Sequence, residues 1–369
     1  MLLTRRAHKA ISQWLPNEII AEIVQAAPRS DQASLCRVSK LFHDLCLPIL
    51  YGVVDLEADA SVADFGDIVL SNAALAGLVR SYSVDYPKAG MSMDAVTSFS
   101  PILVDSSKAF VRLEALSISY MLLTATDLEN LFRWTFPHLV RCSLGMHTAS
   151  SHWSDTEQRH TFASFLIRHP GLENLYIQLG PHSLERSSGV VRIPLLRLQQ
   201  LRCPSRILSS IVAPGIKQVE LYWDDSGLDE VDTIVLALKA MIPSDVPFIC
   251  SNEACDKNLP AVVDSLSRNL PHTRTLRLCL YYSPMKEVID HLKSCLPCFT
   301  GLAFLSVQYS SMVNSPREEE EQLNVLSDAC PTLEACRLHH RAWRKVDGMW
   351  ETYPLTDFDA LAGLESWTL

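Results

Sequence analysis

The sequence predicts an α/β chain: a short all-α module at the N-terminus, then an irregular solenoid of strand–helix units. In that solenoid a curved parallel sheet lies inside and helices lie outside. Three observations predict it. An apolar-x-x-apolar-x-apolar pattern recurs from residue 113 onward, and proline stands two residues before it at Pro137, Pro170, Pro214, Pro271 and Pro331. Between copies the apolar residues shift to helical spacing. Through residues 15–50 the apolar residues fall at helical spacing.

That first stretch reads as short helices. Pro16 stands where a helix begins, its fixed φ and missing N–H costing nothing there. Ile19, Ile20, Ile23 and Val24 follow as one apolar stripe, and Pro28-Arg29-Ser30-Asp31 breaks the chain, with Asp31 placed to cap a second helix. Leu35, Val38, Phe42 and Leu45 line one face of that helix, and Pro48 is expected to stop it before Ile49-Leu50-Tyr51. Some forty residues of short helices bury little alone, so this is an interaction module rather than a catalytic one.

These residues resemble the F-box. Leu15-Pro16 with Glu18-Ile19-Ile20, then Val38-Ser39-Lys40 and the exit Leu50-Tyr51, carry the resemblance. Where many F-boxes have Trp after the Val-Ser-Lys element, this chain has Leu41-Phe42. The resemblance implies docking to a Skp-family adaptor, and through it to a cullin. Leu15, Pro16, Ile19, Ile20, Ile23, Leu35, Val38, Phe42 and Leu45 would make that contact.

Beyond the module the repeat takes over. Its clearest copies are Leu113-Leu116-Ile118, Leu172-Leu175-Ile177 and Leu302-Leu305-Val307. Looser ones are Leu139-Cys142-Leu144, Leu198-Leu201-Cys203, Ile216-Val219-Leu221 and Leu333-Cys336-Leu338; the weakest include Val246-Ile249-Ser251 and Leu364-Trp367-Leu369. The copies begin at 113, 139, 172, 198, 216, 246, 273, 302, 333 and 364, so every step but one falls between 26 and 33 residues. Proline ahead of the pattern ends a helix and sets the chain extended. Helical stripes fall between copies, among them Phe162/Phe165/Leu166, Val231/Ile234/Val235/Leu238 and Val262/Val263/Leu266. Each unit is a strand plus a helix that cannot bury its apolar face alone, so neighbours must stack.

This part resembles the degenerate leucine-rich repeats that accompany F-boxes, especially in fungal proteins. It departs from the regular pattern where Asn or Cys is expected, with His147, Gly180, Ser310 or Arg341 in that place. The expected organisation is a flexible tail at 1–12, the F-box-like module at 13–56 and connecting irregular repeats at 57–110. Degenerate repeats then fill 111–342, and a capping segment occupies 343–369, where Trp343–Trp350 reads as a hairpin. The 198–216 step and the last segment are the places where the repeat is expected to fail.

Composition narrows the function classes. Of 369 residues 48% are hydrophobic and 20% charged, with a formal net charge of −10, so the chain has material for a core and no basic face for nucleic acid. No apolar stretch is long enough for a signal peptide or a membrane span, which predicts a cytosolic or nuclear chain without membrane partners. The eleven cysteines are then expected free and packed. Glu318–Glu321 reads as a solvated helix start.

Chemical motifs are few. Cys295-Leu296-Pro297-Cys298 could bind metal or be redox-active, but a zinc site needs two further ligands and His291 supplies at most one. His339-His340 with Cys336 could also suggest a metal, but the alternation makes Leu338 inward and puts His339 on the solvent or concave face. No hydrolase elbow, phosphate loop, His-Glu-x-x-His or dinucleotide fingerprint occurs. No catalytic residue, metal ligand or cofactor is therefore assigned. The target-binding face is expected at the strands' outward positions: Tyr120, Tyr176, Tyr222, Trp223, Asp224, Asp225, Tyr281, Tyr282, Tyr309, His339 and Arg341. What the resemblances imply is a non-catalytic, substrate-recruiting adaptor of a Skp–cullin–F-box ubiquitin ligase. The competing reading is a ligase-independent scaffold whose N-terminal helices merely cap the repeats.

Overall fold

The structure is a computed structural model that describes residues 16–57, 60–85, 105–106, 108–118, 125–146, 156–179, 192–223, 230–243, 246–254, 258–280, 285–309 and 315–365. The chain is mixed α/β and divides into two compact units, residues 1–139 and 140–369. No helix among the described residues is long and apolar enough to cross a membrane.

The first unit opens with α1 (Asn17–Ala26), α2 (Arg29–Leu35) and α3 (Lys40–Gly52). Ile20, Val24 and Cys46 form their buried centre, with Leu35, Leu41, Phe42, Leu45, Ile49 and Leu50 packed around it. Gln32 is buried as well, because its side-chain N–H groups donate to the Val24 and Ala27 carbonyls, each at 2.9 Å, and so close off α1. Three expectations change here. The single helix expected to carry Leu35, Val38, Phe42 and Leu45 is two, α2 and α3, with residues 36–39 between them. Pro28, not Asp31, stands at the N-cap of α2, so Asp31 lies inside the first turn. Pro48 does not stop α3, which runs on to Gly52. Proline there removes a hydrogen bond to the Asp44 carbonyl, a loss of about 3 kcal/mol. Ile49 and Leu50 offset it by packing on the module, and Tyr51 by stacking at 6.5 Å on Phe65.

α3 passes without a linker into β1 (Val53–Glu57). α4 (Ala60–Ser71) and α5 (Ala73–Ala76) follow, then β2 (Ser81–Asp85), β3 (Ala115–Ile118) and α6 (Ala125–Arg133). β1, β2 and β3 pair parallel, which aligns Val54, Tyr82 and Leu116 in one column and Leu56, Val84 and Ile118 in the next. Fully buried Tyr82 stacks at 5.9 Å on Phe65 and lies 4.9 Å from Phe110.

In the second unit strand and helix alternate. The order is β4 (Arg141–Met146), α7 (Thr156–Ile167), β5 (Asn174–Leu179), a two-residue β6 (Ile193–Pro194), β7 (Gln200–Pro204), a two-residue β8 (Ile211–Val212) and β9 (Gln218–Trp223). Then come α8 (Val231–Lys239), β10 (Phe248–Ala254), α9 (Leu259–Asn269), β11 (Thr273–Leu280), α10 (Met285–Cys295) and β12 (Phe304–Tyr309). The chain ends in α11 (Pro316–Ala329), β13 (Ala335–Leu338), β14 (Arg341–Val346), β15 (Met349–Tyr353) and α12 (Leu355–Ala362).

The main strands from β4 to β13 pair parallel with their neighbours in sequence order. Cys142, Leu175, Leu201, Val219, Cys250, Leu276, Leu305 and Cys336 therefore stand in one column, all buried. The predicted apolar pattern supplies that column at every strand but one. At β10 the register shifts after Phe248, so Cys250 and Asn252 point inward where Ile249 and Ser251 were expected. The buried Asn252 is tolerated because its Oδ1 accepts from Trp223 Nε1 at 3.0 Å. The helical stripes predicted on α7, α8 and α9 are buried.

The short 198–216 step keeps the ladder, since Leu201 still pairs with Val219. Eighteen residues leave no room for a helix between the strands, and a 3₁₀ turn at Ser205–Ser210 takes its place. The repeat does end at the C-terminus. β14 and β15 add antiparallel strands, joined by a two-residue turn with positive φ at Asp347 (50°) and Gly348 (85°), as a tight Asp-Gly hairpin requires. Trp367 and Leu369 of the last expected copy lie outside the described residues, and Leu364 follows α12 and joins Phe358 and Ala362 against Ala303, Phe304, Ala335 and Ala342.

Side-chain alternation puts Phe304 on the face opposite Leu305, so α12 covers the sheet face turned away from the repeat helices. Thr275 Oγ1 donates to the Ala362 carbonyl at 2.9 Å, Gln218 Nε2 to the Gly363 carbonyl at 3.2 Å, and Arg337 Nη1 to Asp359 at 3.2 Å. Gly363 has φ 72°, and a Cβ there would stand 2.6 Å from Ile249 Cδ1. Gly363→Ala is expected to lower unfolding free energy by about 1–2 kcal/mol, mostly as left-handed backbone strain, which a urea titration against the parent chain measures.

Candidate functional site

The N-terminal module presents the first candidate surface. The predicted stripe on α1 splits in two: Ile20 and Val24 enter the module's core, while Ile19 and Ile23, one residue earlier in each turn, stay outside. Ile19 is 40% exposed, Ile23 55%, and Val38, in the turn between α2 and α3, 54%. Leu35, Phe42 and Leu45 are half-buried against the core, Pro16 is exposed, and Leu15 lies outside the described residues. Of the nine residues expected at an adaptor contact, then, Pro16, Ile19, Ile23 and Val38 are exposed and Ile20 is structural.

The second candidate surface is the sheet face carrying α12. Alternation decides which residues reach it. Val219 and Leu221 are core, so Trp223 is core too, and Tyr309 follows Leu305 and Val307 inward. Both were expected to be exposed, and both are buried. His339 is corrected likewise: it sits at φ 53° in the two-residue turn joining β13 to β14, 2% exposed and edge-on to Tyr309 at 6.1 Å. Its burial pushes the imidazole pKa down, so the ring is neutral near pH 7. Tyr120, Asp224, Asp225, Tyr281 and Tyr282 lie outside the described residues.

Tyr176 and Tyr222 do reach that face, and they flank a residue the sequence reading missed. The Arg202 guanidinium lies 4.5 Å from the Tyr176 ring centre and 5.2 Å from that of Tyr222. Its Nε donates to the Tyr222 hydroxyl, and its Nη2 meets Glu220 Oε1 at 3.0 Å. Arg277 reaches the other Glu220 oxygen at 3.8 Å and donates to Gln308 at 3.3 Å. Glu220 is therefore a buried carboxylate between two cations, all on alternating positions of parallel strands. Burial, and then Glu220, pushes the neighbouring Glu253 carboxyl above its ordinary range against the pull of Arg202 and Arg277. With charges so nearly balanced, the patch suits hydrogen bonding to a partner's polar groups rather than capture of a polyanion.

Arg341 is held by Glu319 Oε1 at 3.0 Å, while Glu319 Oε2 accepts from Trp343 Nε1 at 3.1 Å. The Glu318–Glu321 run is a helix start, with Ser315 and Glu318 forming a capping box, yet Glu319 within it is 1% exposed rather than solvated. It ties α11 to the C-terminal hairpin.

A third cluster lies on the helix layer. Cys295 Sγ donates to Asp264 Oδ1 at 2.9 Å and lies 3.5 Å from His291 Nε2, which is 3.2 Å from the same carboxylate oxygen. Burial, then the bond to Asp264, pushes the Cys295 thiol up to about 11, so near neutral pH it is protonated and a poor nucleophile. Asp264 meets His291 through the nitrogen that faces Cys295, which is not a relay in which a carboxylate orients the imidazole from its far side. Cys298 is exposed.

Neither a scan against protein-family models nor a search of curated proteins gives a match for this chain. Its reading rests on its own residues.

Two substitutions test the buried ion pairs. Glu220→Ala is expected to cost about 3 kcal/mol, because Arg202 and Arg277 are left half-buried without their counter-charge. Glu319→Ala should cost a similar amount and expose the Trp343 indole, seen as a red shift of the intrinsic fluorescence beside the denaturation curve.

Proposed function

We propose that this chain is a substrate-recruiting adaptor of a Skp–cullin–F-box type ubiquitin ligase. The observation that carries the reading is the exposure of Ile19 and Ile23 on α1 and of Val38 in the turn after α2, on a three-helix module whose own core is already filled by Ile20, Val24 and Cys46. A module this small does not leave three branched aliphatic residues in water to stabilise itself. The F-box resemblance of the same segment names the occupant as a Skp-family adaptor, with a cullin brought behind it.

The second unit is then a run of degenerate leucine-rich repeats, and its polar sheet face, centred on Tyr176, Arg202, Tyr222 and Arg277, holds the target protein. The chain's contribution to ubiquitin transfer is proximity: it holds the target's lysines where a charged enzyme in the complex reaches them. The work lies in the cytosol or nucleus, where such ligases act.

A second reading, a scaffold without a ligase, draws on the direct passage of α3 into β1. Arg29 Nη2 donates to the Val53 carbonyl at 2.8 Å, as in a helical cap built onto a sheet edge. One experiment separates the two. The full chain is co-expressed with a Skp-family adaptor and purified beside an Ile19→Glu/Ile23→Glu variant, whose exposed positions leave the circular dichroism unchanged. The ligase reading expects adaptor in stoichiometric amount with the parent. In the variant affinity should fall at least about a hundredfold, the loss of roughly 3 kcal/mol of apolar burial. Adaptor absent from both preparations gives the scaffold reading the field.

A further inference from the structure

We propose that Asp264, His291 and Cys295 bind one borderline transition-metal ion, zinc first among them, and so cross-link helices α9 and α10. His291 and Cys295 are four residues apart on α10 and share one face of it. Asp264 stands on α9, the helix of the preceding strand–helix unit. The three donor atoms are within 4.8 Å of one another.

The geometry fits a tetrahedral ion more closely than it fits a catalytic group. Ordinary zinc bond lengths at tetrahedral angles place the donor atoms roughly 3.4–3.6 Å apart. The sulfur–nitrogen separation here is 3.5 Å and the nitrogen–oxygen separation 3.2 Å. The sulfur–oxygen separation, 2.9 Å, is that of the thiol hydrogen bond and must open by about 0.7 Å. Asp264 can make that move, its side chain being 48% exposed. His291 Nε2 faces carboxylate and sulfur at once and lies 3.2 Å from the Pro260 carbonyl, three electron-rich atoms around one ring nitrogen. Coordination breaks the S–H bond of Cys295, sends that proton to solvent, forms the metal–sulfur bond and leaves the imidazole neutral.

Donor chemistry selects the ion. One sulfur, one nitrogen and one oxygen suit zinc and its neighbours, whereas calcium and magnesium demand oxygen throughout. Three protein ligands leave a fourth position to water, which the exposure of Asp264 and His291 admits. The site stands apart from the adaptor reading, since no residue of the N-terminal module takes part.

The test uses the full chain, stripped with a chelator and carrying Cys298→Ser to remove the exposed thiol. Cobalt(II) is titrated first, then zinc in competition with a chromophoric chelator. Expected are one equivalent of metal, a thiolate-to-cobalt charge-transfer band and release of a proton. The band should vanish in Cys295→Ser, and zinc affinity should fall at least about tenfold in His291→Ala and in Asp264→Asn. Circular dichroism accompanies each variant, and Asp264→Asn, at a half-exposed position, decides the matter should a helix-buried change fail to fold. Absence of stoichiometric binding by the parent overturns the proposal, as does undiminished affinity in Asp264→Asn.

Discussion

Everything in the second unit depends on one constraint: the parallel strands must stay in register, because each is too short to bury its own apolar face. A strand here contributes two or three inward side chains, such as Leu305 and Val307, and these are covered only when the neighbours' Leu276 and Leu338 stand beside them. A slip of one residue would turn those side chains to the opposite face and bring Ser306 or Arg337 into the core. The register is held where it is easiest to lose. At β10 the ladder shifts after Phe248, and the resulting inward asparagine is secured by the indole of Trp223. At the short 198–216 step a 3₁₀ turn replaces a helix so that the pairing survives. Local regularity gives way in both places, yet the strands on either side stay paired in parallel.

The same register places charge on the other face. Arg202 and Glu220 are direct partners across β7 and β9, and Arg277 reaches Glu220 over the small Ser251 of β10. Serine in the row leaves the space that an arginine side chain crosses. Toward the strands' N-terminal ends, α12 covers that face, fastened by Gln218, Thr275 and Arg337 to its backbone and to Asp359. The polar residues under α12 are thus consumed by the fold, and those around Arg202 and Tyr222 are left half-exposed.

The sequence made the period and the class legible, and the reason is physical. The apolar column repeats once per unit, and proline marks each helix exit, so two independent signals stay in phase. The outward face was read less well. Trp223 and Tyr309 were judged by residue type, although their spacing of two from Leu221 and Val307 places them inward. Arg202, Glu220 and Arg277 were passed over because each is unremarkable alone and acquires meaning only beside its neighbour strand. Pro48 inside α3 and the buried Glu319 were missed for a related reason, since tertiary packing overrode a local rule in both. On the N-terminal module the apolar spacing was legible, but not that a stripe of four residues is wider than a three-helix core can cover. That surplus is what leaves Ile19 and Ile23 outside.

In a chain of stacked units, groups that act together can be separated by a whole repeat as well as by a turn of helix. Cys295 and Asp264 are 31 residues apart and Arg202 and Glu220 are 18 apart, each pair one unit from the other. The short motif Cys295-Leu296-Pro297-Cys298 offers two thiols, one buried and one exposed, with His291 a helical turn before them. One unit back from Cys295 along the helix layer is α9, which carries the Asp264 carboxylate. The period that builds the sheet is therefore also the coordinate along which its chemistry has to be read.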